Sequence, residues 1–125
     1  MSDRYPCPCC GYRTFDEPPG SFEICPVCFW EDDLVQLRWP TYTGGANRPS
    51  LVEAQQAFAA TGAKQERIPG HVRPPAAEEV RDPGWRSVSD EDDFEPFEVV
   101  GADWPDDRTA LYWWRSTFWR HQQTR

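Results

Sequence analysis

The chain has 125 residues, 38% of them apolar, with 13 prolines and a formal net charge of −8. That length allows one compact domain and excludes two ordinary ones, and no run approaches the eighteen or so apolar residues that a membrane-spanning helix needs. An acidic surface of this kind repels phosphate backbones and favours basic protein partners.

Positions 1–20 carry Asp3, Arg4, three cysteines and several prolines but no apolar stretch, which is the pattern of a cytoplasmic protein without a signal peptide. In a reducing compartment close-spaced cysteines serve as metal ligands more often than as disulfides, and an odd count of five agrees with that.

Residues 5–28 read as knuckle, hairpin, knuckle. Cys7-Pro8-Cys9-Cys10-Gly11 and Cys25-Pro26-Val27-Cys28 each present two sulfurs from a tight C-x-x-C turn, with fourteen residues between the pairs. Four soft ligands so arranged suit one tetrahedral Zn²⁺, with Cys7, Cys10, Cys25 and Cys28 as the donors. With four thiolates and the ion included, the net charge becomes roughly −10. Thioredoxin-like redox motifs come singly, so two C-x-x-C pairs point away from thiol exchange. Cys9 is read as a non-ligand thiol beside the metal, because Cys7-x-Cys9 is too short for a knuckle. Gly11–Phe15 and Ser21–Ile24 are expected to pair as strands around Asp16-Glu17-Pro18-Pro19-Gly20.

After the second knuckle, Glu31-Asp32-Asp33 is read as a solvated acidic turn. Three adjacent acids give no sign of the two distinct environments that acid–base chemistry requires. Leu34–Arg38 is assigned to a third strand, and Gly44-Gly45-Ala46-Asn47 to a loop. Ser50 and Glu53 form a capping-box pattern opening a helix over about Leu51–Ala60. Leu51, Ala54 and Phe58 lie on one face, and Gly62 ends it. His71 and His121 read as solvent-exposed residues. Pro69, Pro74, Pro75 and Pro83, with the acids that close the stretch, mark a connector, bounded at 76–93, between a zinc domain at 1–75 and an aromatic segment at 94–125. Positions 90–107 hold nine acids, and 108–125 hold four arginines among Tyr112, Trp113, Trp114, Phe118 and Trp119. A helix from about Asp106 would place Leu111, Trp114 and Phe118 on one face, leaving Trp113 and Trp119 to meet a partner.

Tyr5-Pro6-Cys7-Pro8-Cys9-Cys10-Gly11-Tyr12 and Ile24-Cys25-Pro26-Val27-Cys28-Phe29-Trp30-Glu31-Asp32-Asp33 resemble the bacterial cysteine-rich CPCC family. Gly44-Gly45-Ala46-Asn47, Ser50-Leu51, Glu53-Ala54-Gln55, Gly62-Ala63 and Glu66-Arg67 extend the resemblance over roughly residues 5–75. Many members carry a further cysteine where this chain has Lys64, so a sixth thiol is not required here. The resemblance implies a small zinc-ribbon-like domain and brings no activity with it.

The fold expected is therefore small α+β: a zinc-ribbon-like β-hairpin with a packed helix, plus an aromatic C-terminal helix. The function expected is a non-enzymatic, zinc-stabilised protein-interaction module that neutralises a basic partner, as immunity proteins and antitoxins do. The alternatives are a metal- or thiol-dependent hydrolase using Cys9 or Glu31–Asp33, and a zinc-ribbon nucleic-acid binder. The acidic balance disfavours the latter.

Overall fold

Two short strands, two helices and one 3-10 turn make up the regular structure of the computed structural model, which describes residues 4–62, 64, 72–92, 94 and 104–120. The class is small α+β. Strand β1 (Tyr5–Pro6) pairs antiparallel with β2 (Arg13–Phe15), Tyr5 opposite Phe15 and Pro6 opposite Arg13, with an irregularity between the two pairs. The C-x-x-C turn itself reverses the chain, so the segments flanking the first knuckle meet each other. The expected pairing of Gly11–Phe15 with Ser21–Ile24 does not form. Phe22 has φ 62°, a left-handed conformation that breaks an extended strand. Ile24 bridges instead to Glu31 across the second knuckle.

Leu34–Arg38 is a helix, α1, and not a strand. Its Asp33 N-cap accepts from Val35 N at 2.8 Å and Gln36 N at 3.3 Å, which satisfies donors that a helix start leaves unpaired. The same carboxylate accepts from Ala46 N at 2.7 Å, so the glycine loop folds down over α1. Gly45 makes that approach possible: a Cβ there would lie 2.5 Å from Asp33 Oδ2 and 2.9 Å from Gln36 Cδ. Gly45→Ala should cost about 1–3 kcal/mol through this overpacking, read as a lowered denaturation midpoint with an unchanged slope.

Helix α2 spans Leu51–Thr61, one residue beyond the expected end. Both capping-box bonds are present, Glu53 N to Ser50 Oγ at 3.1 Å and Ser50 N to Glu53 Oε1 at 2.9 Å. Gly62 closes the helix at φ 83°. Leu51 and Ala54 are buried, and Gln55 donates to Pro8 O at 3.0 Å, fastening α2 to the first knuckle.

The aromatic C-terminal segment contains a 3-10 helix at Arg108–Leu111 followed by turns, not the α-helix expected from Asp106. Leu111, Tyr112 and Trp113 are each 1% exposed. Three consecutive residues cannot all face one core from an α-helix, whose side chains step by about 100°. Turns can present all three, and they enter the same apolar cluster as the four knuckle cysteines, Phe15, Val27 and Trp30. No helix among the described residues is long and apolar enough to cross a membrane.

The composition of 76–93 predicts a stretch that buries little, and of residues 76–92 only Glu79 and Asp82 are buried; residues 80–88 run along the first knuckle. Arg13 N donates to Val80 O, Asp82 N to Gly11 O, Arg81 Nε to Cys10 O and Trp85 Nε1 to Pro8 O, all between 2.8 and 3.1 Å. These backbone and side-chain bonds fasten residues 80–88 to β2 and to the carbonyls of the first knuckle.

Candidate metal centre

The two knuckles repeat one backbone design. In the first, Cys7 N donates to Tyr12 O at 2.9 Å and Cys7 O accepts from Gly11 N at 2.6 Å. In the second, Cys25 N donates to Trp30 O and Cys25 O accepts from Phe29 N, both at 2.8 Å. The residue after each second cysteine is left-handed, Gly11 at φ 83° and Phe29 at φ 74°. Glycine takes this conformation without strain. At position 11 it also makes room for Trp85, whose Cδ2 would lie 2.6 Å from an added Cβ.

This design turns all four thiols inward. Cys7, Cys10, Cys25 and Cys28 are each 0% exposed, and their sulfurs lie within 4.8 Å of one another. Cys7 Sγ is 3.6 Å from Cys28 Sγ, and Cys10 Sγ is 3.8 Å from Cys25 Sγ. Disulfide sulfurs would be about 2 Å apart. A tetrahedron with metal–sulfur bonds of about 2.3 Å has an edge of about 3.8 Å, which matches both distances. Burial pushes the Cys7 and Cys28 thiols up. Burial opposes ionisation of Cys25 too, but hydrogen bonds from Cys10, Cys28, Cys7 and Thr14 outweigh it and hold that thiol low. Without a cation the cluster resists holding four thiolates; a divalent ion removes that repulsion. The four cysteines are positioned to bind a metal ion in a closed, structural site.

Around them stand Thr14, which the sequence did not mark for this site, Lys64, and Cys9, read there as a non-ligand thiol beside the metal. Thr14 Oγ1 donates to Cys25 Sγ at 3.2 Å, the kind of outer contact that orients a ligand. Lys64 is buried, donates to Asn47 Oδ1 at 2.8 Å and lies 5.3 Å from the Phe29 ring centre. Burial lowers its ammonium pKa, against the attraction of Glu31, Cys28 and Cys9. Cys9 is 0% exposed, and burial raises its thiol.

Glu31, Asp32 and Asp33 do not form a solvated turn. Asp32 and Asp33 are buried, and each has a separate structural task. Asp32 Oδ2 accepts from Gly20 N, Ser21 N and Ser21 Oγ at 2.9–3.1 Å. Burial raises its pKa to about 6 in spite of those donors. Asp33 caps α1. Glu31 N donates to Asn47 Oδ1 and Glu31 O accepts from Asn47 Nδ2, both at 2.8 Å. Asn47 and Gln36, both fully buried, bond each other at 3.0 Å and tie α1, the glycine loop and the second knuckle together. Their polarity alone suggested surface positions; only long-range pairing explains their burial.

Trp113 faces the core and not solvent, which corrects its assignment as a partner contact; the turn conformation of 112–117 removes the helical spacing on which that assignment stood. Trp119 is half-buried and stacks on the guanidinium of Arg38, 4.7 Å from its ring centre. Trp39 and Trp104 flank the same guanidinium at 5.0 and 4.5 Å, so the cage that Trp119 helps build already holds a cation. His71 and His121 lie outside the described residues.

No curated protein gives a significant match to the chain. The profile of one family, described as cysteine-rich CPCC, matches residues 5–79, a span that holds both knuckles, α1, the glycine loop and α2. On that match and on this geometry, the chain belongs to the cysteine-rich CPCC family.

Proposed function

We propose that this chain is a non-enzymatic, zinc-stabilised protein-interaction module, zinc-ribbon-like in its paired knuckles, that engages a basic protein partner. Zinc is the ion that four soft thiolates in a closed tetrahedron suit best, and such a site leaves no position at which water could be activated. Of the alternative reactive groups Cys9 and Glu31–Asp33, Cys9 is sealed from solvent and Asp32 and Asp33 are committed to backbone donors, which supports the non-catalytic reading.

The observation that carries the interaction reading is Phe22. It is 60% exposed, stands in the loop between the knuckles and holds φ 62°. A bulky residue in that conformation costs about 1–2 kcal/mol, and among the described residues the ring does not join the core cluster, whose packing would repay it. Asp32 imposes the shape: Phe22 N donates to Asp32 O at 3.0 Å, Asp32 N to Glu23 O at 2.9 Å, and the Asp32 carboxylate grips Gly20 and Ser21. Ile24, 49% exposed, extends the apolar tip. Asp16 and Glu17, both exposed, and half-exposed Glu23 surround it, so charge selects a basic partner.

Phe22→Gly separates folding from binding. Glycine adopts φ 62° freely, so stability should stay level or rise by about 1 kcal/mol after the added unfolded-chain entropy is subtracted. Partner recovery from the native host should fall at least about tenfold with loss of a buried aromatic anchor. Unchanged recovery with a stabilised fold would move the contact surface elsewhere. A destabilised variant would show that the ring packs in solution.

A further inference from the structure

We propose that the cleft formed by Arg4, Tyr5, Arg13 and Arg115 binds a tetrahedral oxyanion, either inorganic phosphate or the terminal group of a small phosphate monoester. The cleft measures ≈ 350 Å³, within the range of small-ligand sites. Its three guanidiniums come from the segment before β1, from β2 and from the turns after the 3-10 helix, so only the tertiary fold assembles it.

Among the described residues, the guanidiniums outnumber the carboxylates that hold them. Arg13 and Arg115 both bind Asp82, each through Nε and Nη2 at 2.9–3.0 Å. Among the described residues no hydrogen bond uses Nη1 of either. Arg4 approaches Asp16 and Glu79 only at 3.9 and 3.7 Å, beyond hydrogen-bond distance. Glu79 is already clamped by Arg73 at 2.7 and 2.8 Å. Thus Arg4, Arg13, Arg73 and Arg115 gather around two buried carboxylates, Asp82 and Glu79, with Asp16 lying largely in solvent. A local excess of positive charge stands out in a chain whose net charge is −8, because like charges held together repel unless an anion joins them.

Asp82 also fixes two of the forks before any ligand arrives, which reduces the ordering cost of binding. The cleft-lining side chains remain accessible, at 38%, 37% and 30% exposure for Arg4, Arg13 and Arg115. A planar carboxylate matches one guanidinium fork, whereas three converging cations suit a group with acceptors in several directions. The chain's overall negative charge opposes a nucleic-acid polyanion, and a single pocket of this volume suits one small phosphate-bearing molecule.

Calorimetric titration of the metal-loaded, full-length protein at constant ionic strength tests this directly. The probes are sodium phosphate, glycerol phosphate and acetate. Phosphate or glycerol phosphate should bind saturably with one-site stoichiometry and raise the thermal midpoint, and acetate should bind at least about tenfold more weakly. A preference for glycerol phosphate identifies a monoester as the ligand, and a preference for phosphate identifies the free ion. Arg4→Gln, which disturbs no bond to Asp82, should weaken phosphate about tenfold or more with an unchanged midpoint in phosphate-free buffer. Arg4→Glu should abolish binding. Absence of saturable binding, acetate binding as tight as phosphate, or wild-type affinity in both Arg4 variants would overturn the proposal.

Discussion

Replacing Cys7, Cys10, Cys25 or Cys28 with Ser, one at a time, is expected to release the metal and unfold the chain around both knuckles. The size of the effect follows from the place of the sulfurs in the fold. They are not an appendage but part of the apolar cluster that includes Trp30, Leu37, Leu51, Tyr112 and Trp113. Structural zinc contributes about 10–16 kcal/mol of apparent binding free energy at neutral pH in small peptides, comparable to or larger than the roughly 5–15 kcal/mol total stability of a domain. Loss of one ligand should therefore be visible as loss of folded circular dichroism, and chelation of the wild type should do the same. Cys9→Ser should retain one equivalent of metal, since Cys9 is not among the four sulfurs that converge. Elemental analysis of the two variants decides the assignment: zinc lost from Cys9→Ser and kept by Cys10→Ser would reverse it.

Asp82→Asn is expected to destabilise the fold from a point outside the metal centre. The carboxylate is 4% exposed and accepts from Arg13, Arg115 and Trp114 Nε1, the last at 2.7 Å. It thereby joins β2, residues 80–88 and the aromatic C-terminal segment at one point. The arginines are about a third exposed, so solvent screens part of the interaction. A loss of about 2 kcal/mol is expected, or roughly 6–10 °C in thermal midpoint. Trypsin should then cut sooner at Arg81 and Arg86. The pH dependence supplies an independent readout. Burial alone would raise the Asp82 pKa, but the bonds from Arg115, Trp114 and Arg13 outweigh it and hold it below the ordinary value. A depressed native pKa means a stabilisation present above the unfolded value of about 3.9 and lost as pH falls through the native one. The difference in stability between wild type and Asp82→Asn should be constant from pH 8 to about 5 and shrink below about 4. Asp32 acts in the opposite sense, since its native pKa is raised to about 6. Its proton uptake favours the folded state as pH falls from 7 toward 5, in both proteins alike, and cancels from the difference.

The arginine cleft and Asp82 belong to one design in which a buried acid both locks the C-terminal segment and aims guanidiniums outward. The Phe22 tip is the counterpart built on Asp32, where a second buried acid holds an apolar side chain out in solvent. In each case the acid is internal and the group it holds is accessible.

Local chemistry was enough to reveal the paired knuckles and α2. A C-x-x-C turn needs only its own residues to point two sulfurs at one spot, and Ser50 with Glu53 caps a helix through bonds three residues long. The family resemblance rested on the same short segments. The rest depended on pairings distant in sequence. Whether Leu34–Arg38 became strand or helix was decided by Asp33 meeting Ala46 and Gln36 meeting Asn47, which no local periodicity encodes. Residues 80–88 show only one proline and few apolar side chains, and their bonds from Arg81 and Trp85 to knuckle carbonyls and from Arg13 to Asp82 are pairings that no local pattern encodes. The aromatic segment showed its apolar content but not its conformation, since a turn that buries Leu111, Tyr112 and Trp113 together is favoured only when a concave core waits to take all three. The cysteine cluster was legible because it is a property of spacing; which side chains stay accessible was not, because exposure is set by what the remainder of the chain leaves uncovered.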